Sequence, residues 1–214
     1  MSGVLAILGA SGHGKVIADI ALESNWSEVV FFDDEWPKKT TCGEWRVVGD
    51  SAALMAAFGS YQGVIVGIGN CVARATKHSA LRDLRAPLAS IVHPRAYVSP
   101  RAELGVGSVL MAQAVVNIGA RIGEACIVNT GATVDHDCEL GFAVHVAPGA
   151  HLSGNVTVGD RAWIGVGACV RQGTRIGANA TVGAGAVVIA DVPEAVIVYG
   201  VPARPSTKVR ATES

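Results

Sequence analysis

Two hydrophobic rhythms divide the chain. Up to about residue 88, apolar runs alternate with helix-like spacing. Val4 to Leu8, Val29 to Phe32 and Val64 to Ile68 read as strands, while Gly14 to Glu23, the stretch from Gly49 and Asp50 through Phe58, and Val72 to Leu84 read as helices. This alternation predicts a small parallel sheet with crossover helices. From Val92 the rhythm changes: every sixth residue through Val188 is Val, Ile or Leu, seventeen positions in a row. Two residues before most of them stands a small side chain, such as Ala96, Ala102, Ser108, Ala132 or Cys138, and Gly often follows. Period six matches neither a helix nor simple strand alternation. It matches a short strand plus a turn wound repeatedly about one axis, one aliphatic residue pointing inward per strand. The expected organisation is an α/β domain over residues 1–88, a repeat domain over 89–192 and a C-terminal cap and tail over 193–214, with the boundary near Pro87 to Pro94.

Composition agrees with this division and removes several functional classes. Charged residues make up 16%, aromatics 5% and apolar residues 50%, with 26 glycines, so the chain builds its core from small aliphatics. Such a sequence is not disordered. A net charge of −1 gives no electrostatic reason to hold nucleic acid or an anionic membrane. No apolar run reaches the roughly 18 residues needed to span a bilayer, and the start, MSGVLAILGASGHGK, lacks the flanks of a signal peptide. Cytoplasm is the expected compartment. Cys42, Cys71, Cys126, Cys138 and Cys169 show no ligand-like pairing with histidine, so buried free thiols are expected and no metal.

The first strand-to-helix turn, Gly9-Ala10-Ser11-Gly12-His13-Gly14-Lys15, is a candidate phosphate cradle. Its glycines let backbone approach a ligand, and a helix N-terminus supplies free N–H groups and positive potential. The spacing G-x-x-G-x-G departs from the dinucleotide fingerprint, so a nucleotide or nucleotide sugar fits better than NAD. A tight turn without a ligand is the alternative. Asp33 and Asp34 end the second strand, where they either meet the ligand or form a solvated acidic turn.

The hexapeptide pattern resembles the left-handed parallel β-helix of the hexapeptide acyltransferases. In that fold three hexapeptides close one coil of about 18 residues, and residues 91–188 would give about five coils, roughly 25 Å tall. Taken together, G-A-S-G-H-G-K near the start, F-D-D after it, N-T-G-A-T-V-D-H-D within the repeats and Y-G-V-P-A-R at the end resemble one family. These are the bacterial sugar acyltransferases related to sialic acid O-acetyltransferase (NeuD) and to the N-acetyltransferases of nucleotide-linked 4-amino-6-deoxy sugars. The resemblance implies acetyl-CoA as donor, a homotrimer, and active sites between adjacent β-helices. It implies His136 as general base with Asp137 as its carboxylate partner, if the short Asp arm reaches. It further implies His145 at the acetyl-CoA thioester, with Gly154, Val166 and Ala184 along the CoA path. Ser11, Gly12 and His13 would meet the phosphates, and Asp33 and Asp34 the base or ribose. The expected activity is N-acetylation of a UDP- or GDP-linked 4-amino-4,6-dideoxy sugar for surface glycans. Competing readings are O-acetylation of sialic acid or a related sugar, a non-catalytic β-helix scaffold, and a γ-carbonic-anhydrase-like metal protein using His136, His145 and His151.

Overall fold

The computed structural model of the chain describes residues 3–206. Its first part holds β1 (Val4–Leu8), α1 (Gly12–Glu23), β2 (Glu28–Phe32), β3 (Thr41–Cys42), β4 (Trp45–Gly49), α2 (Ser51–Ala57), β5 (Gly63–Val66) and α3 (Cys71–Asp83). The sheet order is β3-β4-β2-β1-β5, parallel except where β3 turns back antiparallel on β4. Successive strand residues face opposite sides. Leu5 and Ile7 therefore pack with Ile17, Ile20 and Phe31, while Ala6 and Leu8 pack with Leu54, Val66 and Leu81. The β3–β4 hairpin was not expected, and α1 starts two residues earlier than its hydrophobic spacing suggested.

The repeat region is a left-handed β-helix of three-strand coils. Ile127 pairs with His145 and His145 with Trp163, so successive strands in a stack are 18 residues apart, as three hexapeptides require. The first stack includes Ile91–Val92, Ile127–Val128, His145–Val146 and Trp163–Ile164. The second includes Thr133–Val134 and His151–Leu152, and the third Arg121–Ile122 and Glu139–Leu140. Val116, Val128, Val134, Leu140, Val146 and Leu152 fill one continuous interior with small Ala and Cys side chains between them. Beyond Val188 the spacing tightens: Thr181 pairs with Ile197, and Ile197–Tyr199 is then covered by antiparallel Arg204–Pro205. Residues 207–214 of the expected cap and tail lie outside the described residues.

Glycine serves two separate purposes in these coils. One residue in every hexapeptide from 107 to 185 has positive φ, but only half of these are glycine; Asp137, Asn155, Asn179, Ala125 and Ala143 are among the others. The glycines that follow the aliphatic positions are needed for space instead. A Cβ on Gly123 would stand 2.6 Å from the Gly141 carbonyl oxygen of the next coil. Corner conformation and coil stacking thus place different demands on neighbouring residues.

The two parts dock over α1 and α3. Ile91, Val109, Met111 and Ile127 join the same apolar cluster as Leu5, Ile7 and Ile17, which puts α1 between its own sheet and the first stack. On α3, His78 is fully buried and meets Glu124 at 3.2 Å, and Arg82 reaches the same carboxylate. No helix among the described residues is long and apolar enough to cross a membrane. Four cysteines are buried free thiols as expected; Cys169 is exposed on the second stack.

Candidate active site

The glycine turn after β1 sorts its three glycines by role. Gly9 has φ +115, and its N–H donates to the Phe32 carbonyl. A Cβ on Gly14 would run into the Gly9 carbonyl and Phe31, so this residue lets α1 sit close to the strands. Gly12 alone faces open space. Ser11 occupies the N-cap of α1 without a side-chain cap hydrogen bond, so the first turn of the helix keeps its N–H donors for another acceptor.

Asp33 and Asp34 organise this end of the sheet. Asp33 accepts the Ala10 N–H at 2.7 Å and pairs with Lys39 at 3.4 Å. Asp34 accepts the Ser51 N–H at the start of α2 and pairs with Lys77 of α3 at 2.7 Å. The Lys77 and Ser51 hydrogen bonds hold its carboxyl at about 2. Both carboxylates therefore already have protein partners at the strand ends, where the sequence had suggested contacts with a ligand.

His13 and His145 lie together between α1 and the first stack, ring centroids 6.3 Å apart. His145 Nδ1 meets the Gly69 carbonyl at 3.3 Å, and its Nε2 meets the Asn129 amide nitrogen at 3.1 Å. His13 Nε2 is buried with no hydrogen-bond partner in the protein. Burial, then the charge of Arg74, pushes His13 down to about 4 and His145 to about 3. Both rings are neutral at any working pH.

His136 occupies a different environment, exposed on the corner between the second and third stacks. The next residue, Asp137, takes the left-handed conformation with φ +59, which Asp tolerates better than most residues. This bends the chain so that His136 Nδ1 lies 2.8 Å from Asp137 Oδ2. The short Asp arm does reach. Glycines one coil away on either side make room for the pair: a Cβ on Gly119 would stand 2.5 Å from Asp137 Oδ1, and one on Gly154 would fall onto His136 Nε2. Asn117 and the His136 backbone N–H both bind Asp135 Oδ1, which steadies the corner. The hydrogen bond to Asp137 raises His136 above the ordinary histidine value, with Asp135 adding to it.

Gly154 was expected beside CoA; its missing side chain leaves the space in which the His136 imidazole sits. Val166 and Ala184 are exposed one above the other on the corner after the first stack, with the Gly185 N–H donating to the Val166 carbonyl. His151 is exposed, bonded to Thr133 at 3.0 Å. Among the described residues no group of three or more His, Cys, Asp or Glu could hold a metal ion. Arg74 and Asn117 were not picked out from the sequence, and Asn129 and Asp135 entered only as members of the N-T-G-A-T-V-D-H-D motif, without a role of their own. Stepping 18 residues along the coil columns joins Asn117 to Asp135; the Asn129–His145 bond spans 16 residues and so falls outside that column, and Arg74 has no local signal.

In each triangular coil, the corner between the second and third stacks faces away from the first. His136 thus points away from the side where His13, His145 and the glycine turn sit. An exposed imidazole with a carboxylate on its far nitrogen suits proton transfer, and on a hexapeptide β-helix carrying an α/β domain it marks a two-domain acyltransferase. The PglD N-terminal domain family matches residues 4–81, and the bacterial transferase hexapeptide family (six repeats) matches residues 155–190. The acetyltransferase domain of PglB from Neisseria gonorrhoeae is 42% identical over 95% of this chain and 99% of that one, with a TM-score of 0.90; it is also known in complex with acetyl coenzyme A. PerB from Caulobacter crescentus, in complex with CoA and GDP-perosamine, is 38% identical over 95% and 97% of the two chains, with a TM-score of 0.90. WeeI from Acinetobacter baumannii is 30% identical over 95% and 99%, with a TM-score of 0.85. No curated protein sequence gave a significant match. The chain belongs to the bacterial hexapeptide-repeat sugar acyltransferases, in the group of nucleotide-linked amino-sugar N-acetyltransferases.

Proposed function

We propose that this protein transfers the acetyl group of acetyl-CoA to the 4-amino group of a UDP- or GDP-linked 4-amino-4,6-dideoxy sugar used for surface glycans. The observation that carries this is the exposed His136–Asp137 pair on the coil corner, with the carboxylate on Nδ1 and Nε2 left for the acceptor. The acceptor amine attacks the thioester carbonyl, His136 Nε2 takes the proton that the nitrogen loses, and CoA leaves as the tetrahedral intermediate collapses. Asp137 holds the Nδ1 proton and stabilises the imidazolium. The N–H groups of Ser11, Gly12 and His13 would receive the phosphates of the nucleotide, Val166 and Ala184 the length of CoA, and His145 the thioester region.

Because His136 points away from its own α/β domain, a complete site needs a neighbouring copy, and a homotrimer meets that need with three equivalent interfaces. Ile118, half exposed one coil from His136, and Tyr97 are apolar surfaces that such a neighbour would cover. The reaction would run in the cytoplasm, where acetyl-CoA is made. The test is acetyl-CoA consumption with UDP- and GDP-linked 4-amino sugars against free sialic acid, with the product checked by mass. Acetylated nucleotide sugar supports the proposal; turnover of sialic acid alone supports O-acetylation and overturns it.

The base must be neutral to accept a proton, so kcat/KM falls as pH drops through the His136 pKa. Since the hydrogen bond to Asp137 holds that pKa above the ordinary histidine value, the acid limb moves to lower pH in Asp137→Asn than in the parent enzyme. A pH series of kcat/KM checks it, and an unmoved limb would show that Asp137 does not tune the base.

A further inference from the structure

Arg74 is the largest side chain that the fold buries completely, at 1% exposure, and among the described residues no carboxylate pairs with it. A buried cation without a counter-charge is costly, and a well-packed apolar side chain would often join two surfaces more cheaply. Its donors are fully used. Nε meets the Ala125 carbonyl at 2.7 Å, Nη1 meets the Ile68 and Gly69 carbonyls at 2.9 and 2.8 Å, and Nη2 meets the Ala143 carbonyl at 2.8 Å and Cys71 Sγ at 3.6 Å. One side chain of α3 therefore ties the loop after β5 to two consecutive coil corners.

The Gly69 carbonyl has a second visitor, Nδ1 of His145. At the other end of that ring, the Asn129 side-chain oxygen accepts the Thr130 N–H at 2.8 Å, which turns its amide nitrogen toward His145 Nε2. An amide nitrogen can only donate, so Nε2 is the acceptor and Nδ1 carries the proton. We infer that Arg74 is a positioning residue for the acyl-transfer site: by fixing the Gly69 carbonyl that accepts from Nδ1–H, it holds His145 in the tautomer and orientation that Asn129 meets from the other side. This rests on the proposed place of His145 beside the acetyl-CoA thioester.

The electrostatics agree. The charged or titratable groups facing His145 are Arg74 on α3 and His13 on α1, and both oppose a positive ring. Arg74 likewise opposes charge on His13. A mobile or protonated His145 would lose its hydrogen bond from Asn129, so the same guanidinium that places Gly69 also guards the protonation state on which the chain of bonds depends.

Nitrogen NMR of the imidazoles in the full-length protein tests this without any acceptor sugar. In the parent protein His145 should be a single neutral species with its proton on Nδ1 from about pH 8 to about pH 5. In Arg74→Met the ring should show mixed tautomers and titrate at higher pH, and kcat/KM for acetyl-CoA should fall by roughly tenfold or more, while KM for the nucleotide sugar stays within about twofold. A proton on Nε2 in the parent protein, or an unchanged His145 spectrum in folded Arg74→Met, would overturn the inference. Should Arg74→Met not fold, Arg74→Lys keeps the charge but cannot span Ala125, Ala143 and Gly69 together, and an unchanged His145 spectrum in it overturns the inference equally. If the spectra behave as expected but acetyl-CoA is never consumed, the reading of the reaction fails and the positioning of His145 stands.

Discussion

His136→Ala lowers turnover by at least about a hundredfold, the contribution of a positioned general base, and leaves the melting temperature unchanged. The two halves of this expectation have separate causes. Turnover falls because, among the described residues, no other group on this corner offers a free nitrogen acceptor: Asp135 is held by Asn117 and the His136 backbone, and Asp137 is placed by its bond to the ring. Stability holds because the imidazole is more than half exposed and packs into no core cluster. KM for acetyl-CoA should change little, since the base acts on the proton of the acceptor. Initial rates and a thermal melt on the same preparation check both halves. Near-parent turnover would make His136 an ordinary corner residue, as a scaffold protein would have it.

Gly154→Ala should cost nearly as much activity through one added methyl group. The position is not in the left-handed region, so Ala suits its backbone. Its Cβ, however, would occupy the space of His136 Nε2. The ring is exposed and must swing aside, which breaks its alignment with Asp137 and moves the basic nitrogen by about an ångström or more. Misplacement of that size is worth roughly a hundredfold in rate. Folding should be unaffected because only an exposed side chain yields. Parent-level kcat in Gly154→Ala would mean that the base works from a different position.

How far the sequence revealed this site depends on how local each signal was. Period six, from Val92 to Val188, is imposed by every coil in turn, so both the β-helix and its register could be read directly. The β3–β4 hairpin was hidden because Thr41–Cys42 is too short to show alternation and follows a stretch with two lysines. His136 and Asp137 are adjacent, so their pairing is a local matter, but the space for them is made by Gly119 and Gly154 one coil away. His13, Arg74 and His145 meet only when the domains dock. On α3 alone Arg74 reads as one more solvated charge, and its burial comes from surfaces distant in sequence. Asp33 and Asp34 were placed at the right end of the sheet, yet their engagement with Ala10, Lys39, Ser51 and Lys77 depends on how the glycine turn, α2 and α3 converge.

As proposed, one catalytic centre is completed by two copies of the chain and acetylates a nucleotide-linked amino sugar. Mixed oligomers test it most directly. His136→Ala removes the base, and Gly12→Asp places a negative charge at the open position of the phosphate turn without a steric clash. Each variant alone should be inactive. Co-expressed under two affinity tags and purified through both, the mixed oligomers should again consume acetyl-CoA with the nucleotide amino sugar, because some interfaces then join an intact His136 to an intact α/β domain. Mixed oligomers as inactive as either single variant would mean that no site is shared between copies.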